Sequence, residues 1–265
     1  MSSIFDDWNA APPMDMEEED MIPLFPMDED EEIPYIDFGK PIPILPLKNT
    51  VLFPGVVIPI TIGRQQSIKA ITKAYKTNKM IGVLSQKDAR IESPTVDDLF
   101  QTGTVAKIIR LLKVPDGTTT AIIKGQQRFV LEEMVAETPF MEARIMPLAS
   151  QAPNDSKEFL AYVTSIKELA QKIIRLSPNI PPEASVMLKN IERNTFLLNF
   201  ISSNLSVKIK EKQIVLETND LIEKAKLILN HMNNELQLLE LRDQIDSKVR
   251  GDLDKQQRDY FLNQQ

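Results

Sequence analysis

The residues able to carry chemistry in this 265-residue chain are few, and their spacing excludes more than it suggests. Cysteine is absent and His231 is the single histidine. A thiolate nucleophile, a disulfide and a Cys/His zinc site are therefore excluded, and a transition metal would have to be held by carboxylates alone. The eight glycines lie at 39, 55, 63, 82, 103, 117, 125 and 251, and no two are five apart, so the phosphate-binding pattern G-x-x-x-x-G-K-[ST] cannot form. G-x-G-x-x-G and G-x-S-x-G fail by the same count. A Ser-His-Asp arrangement has only His231 to build on; that residue sits beside Met232 with no serine near it in sequence, and reads as an ordinary helical residue. Glu132-Glu133 and Asp97-Asp98 read as solvated edges of strands or helices. No residue is assigned as catalytic, cofactor-binding or metal-binding, so the chain by itself is not expected to be an enzyme. Lys208, Lys210 and Lys212 come nearest to a basic stripe, but Glu211 interrupts them, and aromatic residues for base stacking are few. Nucleic-acid affinity rests on many phosphate contacts, so a nucleic-acid partner is not expected.

The charge is unevenly spread. Residues 1–40 hold 13 acids against one base, Lys40, while the rest of the chain holds 25 acids and 30 bases. Residues 1–40 therefore read as a self-repelling, disordered acidic arm, with blocks at Glu17–Asp20 and Asp28–Glu32 separated by apolar islands such as Ile22, Leu24 and Phe25. Such an arm either solubilises the chain, binds a partner or folds back onto the mildly basic body. No run approaches 18 apolar residues and the N-terminus lacks a signal-peptide pattern, which leads to the expectation of a cytoplasmic protein with no membrane partner.

Pro41–Gly63 opens the folded part. Five prolines exclude a buried helix, and Val56, Ile58, Ile60 and Ile62 alternate with Val57, Pro59 and Thr61, the period of a strand. Two short strands at a sheet edge, a bulge or a barrel rim are expected there. A short helix over 67–78 follows, with Ser67 as its cap, then strands at 80–85, 104–114, 119–124, 129–133 and 140–148, with turns at 114–118 and 125–128. A linker at 150–156 separates this β-rich part, 41–149, from a helical bundle over 150–218. The stripe Phe159, Leu160, Val163, Ile166, Leu169, Ala170, Ile173 and Ile174 marks the first helix of the bundle. From 219 to 265 a long helix carries Leu221, Ala225, Ile228, Met232, Leu236 and Leu239 at near-heptad spacing. Gly251 interrupts it and its apolar face thins to Leu253, Tyr260, Phe261 and Leu262. The fold class is α+β, a small β-domain with one or two short helices followed by an all-α bundle.

With catalysis excluded, binding to protein remains. Leu52-Phe53-Pro54 and Phe140-Met141 at turns of the β-domain are candidates for contact with unfolded polypeptide. Leu239, Ile245, Tyr260, Phe261 and Leu262 are candidates for assembly through the long helix.

The run PILPLKNTVLFPGVVIPITIGRQQSIKAI resembles the opening of the N-terminal region of the ATP-dependent Lon proteases. The resemblance continues in order through Gly103–Ile108, Gly125–Phe129, Lys212–Glu217 and Lys255–Gln265, covering 41–265; the acidic arm is not part of the family pattern. It implies a PUA-like β-domain, a helical bundle and a long helix leading to an ATPase and a Ser-Lys protease, both missing here. It also implies capture of unfolded or tagged substrates and assembly or gating of a homohexamer. ATP and Mg2+ would belong only to the missing part. Two other roles stay open: an oligomerisation spacer without substrate choice, and a free-standing PUA-like adaptor or nucleic-acid reader.

Overall fold

The computed structural model describes residues 36–113, 119–149, 156–177, 180–181 and 183–262, with backbone alone at 113, 246 and 250–262. The expected turn at 114–118, the 150–155 linker, Pro182 as a helix start and the arm before residue 36 lie outside the described residues.

Six strands come first: β1 (Ile42–Leu47), β2 (Val57–Ile62), β3 (Met80–Ser85), β4 (Thr102–Lys113), β5 (Thr119–Ala136) and β6 (Glu142–Pro147), with helix α1 (Gln65–Lys76) between β2 and β3. The sheet order is β2-β5-β4-β3-β1-β6, and β6 also pairs with β5. That last pairing closes β1, β3, β4, β5 and β6 into a five-stranded barrel, leaving β2 outside on the first half of β5. The proline argument therefore holds for β2, an edge strand with Pro59 exposed. β1 lies between β3 and β6, so it is not a sheet edge, and the barrel-rim alternative is the one that applies to it. Pro43 pairs with β6 at its rim, and Pro46 lies where β1 pairs with β3 alone.

A correction concerns Gly125–Arg128. The Gly-Gln-Gln signal suggests a turn, but β5 runs straight through it. The register against β4 jumps from Val105↔Gln127 to Ala106↔Gly125, so the signal marks a β-bulge at Gln126. Glycine is needed there because a Cβ at 125 would lie 2.3 Å from the Phe53 carbonyl oxygen.

Five helices follow: α2 (Lys157–Leu176), α3 (Glu183–Asn190), α4 (Asn194–Asn204), α5 (Ile209–Glu217) and α6 (Leu221–Leu262). Ser156 caps α2 by accepting from the Phe159 amide at 3.2 Å, and Asp220 caps α6 by accepting from the Glu223 amide at 2.8 Å. α6 continues across Gly251.

The interior forms two clusters. One fills the barrel with Ile42, Ile44, Met80, Leu84, Val105, Phe129, Leu131 and Ile145. Ile36 and Phe38 join it, so the last five residues assigned to the arm belong to the fold. The other lies outside the barrel wall and runs without a break from Leu52, Phe53, Ile71 and Ile81 to Phe159, Ile166, Leu198, Val215, Ile228 and Leu236. Sheet and bundle thus share one core, and the alternation along β3 shows how: Ile81 and Val83 face the bundle side, Met80 and Leu84 the barrel interior.

Candidate functional site

The loop between β1 and β2, residues 48–56, lies where the barrel wall meets the bundle. Thr104 Oγ1 donates to the Leu52 carbonyl at 2.7 Å, and Ser85 Oγ to the Thr50 carbonyl at 2.7 Å. The amide of Gly55 donates to the Gly125 carbonyl and the amide of Gly125 to the Val56 carbonyl, both at 2.9 Å. Gly55 adopts a φ of 82°, and a Cβ there would meet the Phe196 ring at 2.7 Å. The loop is therefore clamped between barrel and α4. Asn199 on α4 completes the clamp by donating to the Pro54 carbonyl at 3.1 Å.

Two cations are buried where the loop meets the bundle. Lys224 on α6 is 1 % exposed; its Nζ donates to Asn199 Oδ1 at 2.7 Å and lies 5.7 Å from the centre of the Phe53 ring. Arg128 on β5 reaches out of the barrel wall. It donates through Nη1 to the Leu216 carbonyl at 2.8 Å, and through Nη2 to the Ala149 carbonyl at 3.2 Å and Asn219 Oδ1 at 2.9 Å. It thereby ties the barrel to the end of α5 and the start of α6. Beside it, Gln213 on α5 donates to the Thr102 carbonyl of β4 at 2.8 Å. Among the described residues, no carboxylate bonds to Lys224. Burial, followed by the charge of Arg128, lowers Lys224 from the ordinary lysine value of 10.5 to about 7. Burial also lowers Lys212, whose Nζ donates to the Ser203 carbonyl at 2.6 Å, to about 8.

A lysine near neutrality is a group that can attack a carbonyl. At Lys224 that chemistry is closed off, because the amine is enclosed by Asn199 and Phe53 with 1 % exposure. The seam is a mechanical joint between barrel and bundle. Among the described residues, no group of three or more His, Asp or Glu is placed to hold a metal ion. No helix of the described residues is long and apolar enough to cross a membrane.

The sequence candidates are redistributed by this geometry. Leu52 and Phe53 are 2 % and 0 % exposed, so the expectation that they present apolar surface is corrected: they are the core of the joint. Met141 is also buried. It packs in the barrel cluster and lines a shallow open crevice with Ile44, Pro46, Arg64 and Ser67. Pro54 and Phe140 are half-buried. On α6, Leu239 is half-buried against the shared core. Ile245 is exposed, whereas the side chains of Tyr260, Phe261 and Leu262 lie outside the described residues.

Ile245 does not stand alone. Leu238, Leu241, Ile245 and Val249 follow at spacings of three, four and four and are 50–68 % exposed. At 100° per residue they fall within an arc of about 80° on the helix. Leu238 lies outside the spacing set by Leu236 and Leu239, and only the position where the covering helix stops singles it out. α2 has 20 residues and α6 has 42, so α2 can line about half of α6, and among the described side chains burial along α6 ends at Leu236 and Leu239.

With fold and joint in place, comparison with known proteins is decisive. Residues 41–234 match the model of the ATP-dependent protease La (LON) substrate-binding domain. The chain belongs to that family. It is 51% identical over 249 residues to the Lon protease of Flavobacterium johnsoniae, covering 94% of this chain and 30% of the relative. It is 46% identical over 253 residues to the Lon protease of Cytophaga hutchinsonii, covering 95% and 31%. The chain thus spans about a third of the length of these relatives. The fold is similar to the N-terminal domain of the Mycobacterium avium complex Lon protease, with a TM-score of 0.60 at 19% identity, covering 73% of this chain and 98% of that one.

Proposed function

We propose that this chain is the substrate-recognition and assembly region of an ATP-dependent serine protease that acts in the cytoplasm on unfolded, damaged or tagged proteins. The match of 41–234 to a substrate-binding domain carries the reading. In it, ATP, Mg2+ and the proteolytic groups belong to the remaining two-thirds of the relatives' length, and this chain supplies no catalytic residue. The barrel is taken as PUA-like, with the boundaries 41–149, 150–218 and 219–265 for barrel, bundle and long helix. Half-exposed Pro54 and Phe140 remain the sequence-derived candidates for touching substrate. The joint then has a role, since Arg128 connects the barrel to the residues just before α6, and Lys224 ties α6 to α4 and the Phe53 ring.

The test is binding of one protein in denatured and native form to this chain. Tighter binding of the denatured form is expected; equal affinity for both would remove the recognition role.

A second reading is favoured by a separate observation. The uncovered stripe Leu238, Leu241, Ile245 and Val249 fits self-association, toward a homohexamer in the full-length protein. Ile245 is its central residue, and Tyr260, Phe261 and Leu262 extend it in sequence.

A further inference from the structure

Helix α1 has an unusual charge pattern. Lys69, Lys73, Lys76 and Lys79 follow at spacings of four, three and three, along α1 and the turn after it, and all four are exposed. No acid occurs anywhere from Lys48 to Lys87. Among the described residues, no ion pair or hydrogen bond is formed by the side chains of Lys69, Lys73 or Lys76; the Lys79 ammonium lies 5.3 Å from the Tyr75 ring centre. The nearest acids in sequence are engaged elsewhere: Asp88 with Arg90, Glu92 with Lys48 and Asp98 with Thr95. Lysines in a last helical turn complement the helix dipole, which accounts for Lys73 and Lys76. It does not account for Lys69, which adds a like-charge pair at i, i+4 with Lys73, or for the absence of any compensating acid.

The complementary charge lies in the same chain. Residues 1–35 carry 12 acids and no base. Their point of attachment is fixed, because Ile36 and Phe38 pack into the barrel cluster. β1 runs parallel to β3 with Ile44 opposite Gly82, so continuing the register places Ile42 level with Met80, and Lys40 at the end where α1 returns through Lys79 into β3. Lys40 therefore lies beside the C-terminal end of the lysine face, and the arm joins the fold four residues before it, at Ile36. Asp28–Glu32, five consecutive acids, lie four to eight residues before Ile36. A chain of that length reaches at most about 13–29 Å, and the stripe from Lys69 to Lys79 is about 15 Å long at helical rise. A tethered segment meets its site at an effective concentration that a free competitor must exceed.

We propose that the acidic segment Asp28–Glu32 docks on the lysine face of α1 in the same chain. The interaction is electrostatic and exposed, so it is reversible and weakens with salt. It shields a basic surface from other polyanions. The inference stands apart from substrate recognition, since it uses neither the joint nor the stripe on α6.

The chain has no cysteine, so Met27→Cys gives a single site for a spin label. Paramagnetic broadening of backbone amides in the full 265-residue chain then reports where the acidic block spends its time. The expected result is selective loss of the Lys69–Lys79 amide signals at about 0.05 M salt and their recovery at about 0.5 M, where the Debye length falls to about 4 Å. The signals should also recover in D28N/E29Q/D30N/E31Q/E32Q and, with unchanged melting temperature, in K69Q/K73Q/K76Q/K79Q. Broadening on another surface, or none at low salt, would overturn the proposal. So would broadening that appears only when spin-labelled chains are mixed with isotope-labelled ones, which would assign the face to a second copy. A single-stranded oligonucleotide serves as competitor: binding to α1 only after the five acids are neutralised supports the docking, whereas equal binding with the acids intact would assign the face to nucleic acid.

Discussion

The joint between barrel and bundle and the far half of α6 invert the usual distribution of residues. At the joint, Lys224 and Arg128 are buried and held by amide and carbonyl oxygens. Some turns further along the same helix as Lys224, Leu238, Leu241, Ile245 and Val249 face solvent. Burying a cation without a carboxylate is costly, and leaving four aliphatic side chains in a row uncovered forgoes their burial. The difference teaches that each region serves something other than the stability of this fold. The joint exchanges stability for a directed connection: Arg128 and Lys224 can only be satisfied when α4, α5, α6 and the barrel wall are all in register. The stripe keeps a helix face available.

Four expected outcomes test that contrast. The largest effect belongs to Phe53→Ala, which removes a fully enclosed ring from the shared core and from beneath Lys224. A loss of about 3–5 kcal/mol in denaturant unfolding is expected; a loss below about 1 kcal/mol would mean that the loop is not the core of the joint. Arg128→Met should cost about 2–3 kcal/mol, because the acceptors at Leu216, Ala149 and Asn219 lose their donor inside the structure. It should also separate the unfolding of barrel and bundle, read as non-coincident transitions by near-UV and far-UV circular dichroism; a single unchanged transition would show that Arg128 does not couple them.

Lys224 gives a pH signature. Its value in the folded protein, about 7, lies below the ordinary 10.5, so the unfolded chain binds more protons between these limits. Stability therefore falls as pH drops from about 10.5 toward 7 and levels off below it, with Lys212 adding the same sign from about 8. Lys224→Met, which keeps volume and removes the charge, should flatten the profile and compare best with the unsubstituted chain near pH 6. An unchanged slope between pH 7 and 9 would place the titration elsewhere.

The smallest effect on stability is expected from L241Q/I245Q/V249Q. These side chains are about half exposed, so each change should stay within about 0.5 kcal/mol. Its consequence should be in association.

The sequence legibly divides strands from helices because the apolar period changes from two to 3.6 near residue 150. Barrel closure was not legible, since it depends on β5 being long enough to pair with β4 along its length and with β6 at its end. The Gly125 signal concealed that length, because glycine marks a bulge as readily as a turn. The expectation that this chain supplies no catalytic residue rested on residue counts and used no geometry. The joint was the least legible part: Lys224 sits in an amphipathic helix where a lysine ordinarily reaches solvent, and only Asn199 and Phe53, 25 and 171 positions away, make it a buried contact. Phe53 and Leu52 misled for the same reason, since a Phe-Pro-Gly turn reads as surface until the element covering it is known. The acidic arm was fully legible as composition, but its anchor at Ile36 and the lysine face beside it required the register of β1 and β3.

The contrast between a closed joint and an open helix face is tested most directly by sedimentation velocity of the unsubstituted chain and L241Q/I245Q/V249Q, with thermal unfolding measured on both. Concentration-dependent association of the unsubstituted chain, abolished in the variant at unchanged melting temperature, is the result expected. A monomer at all concentrations before substitution, or a variant that loses association only together with its fold, would contradict it.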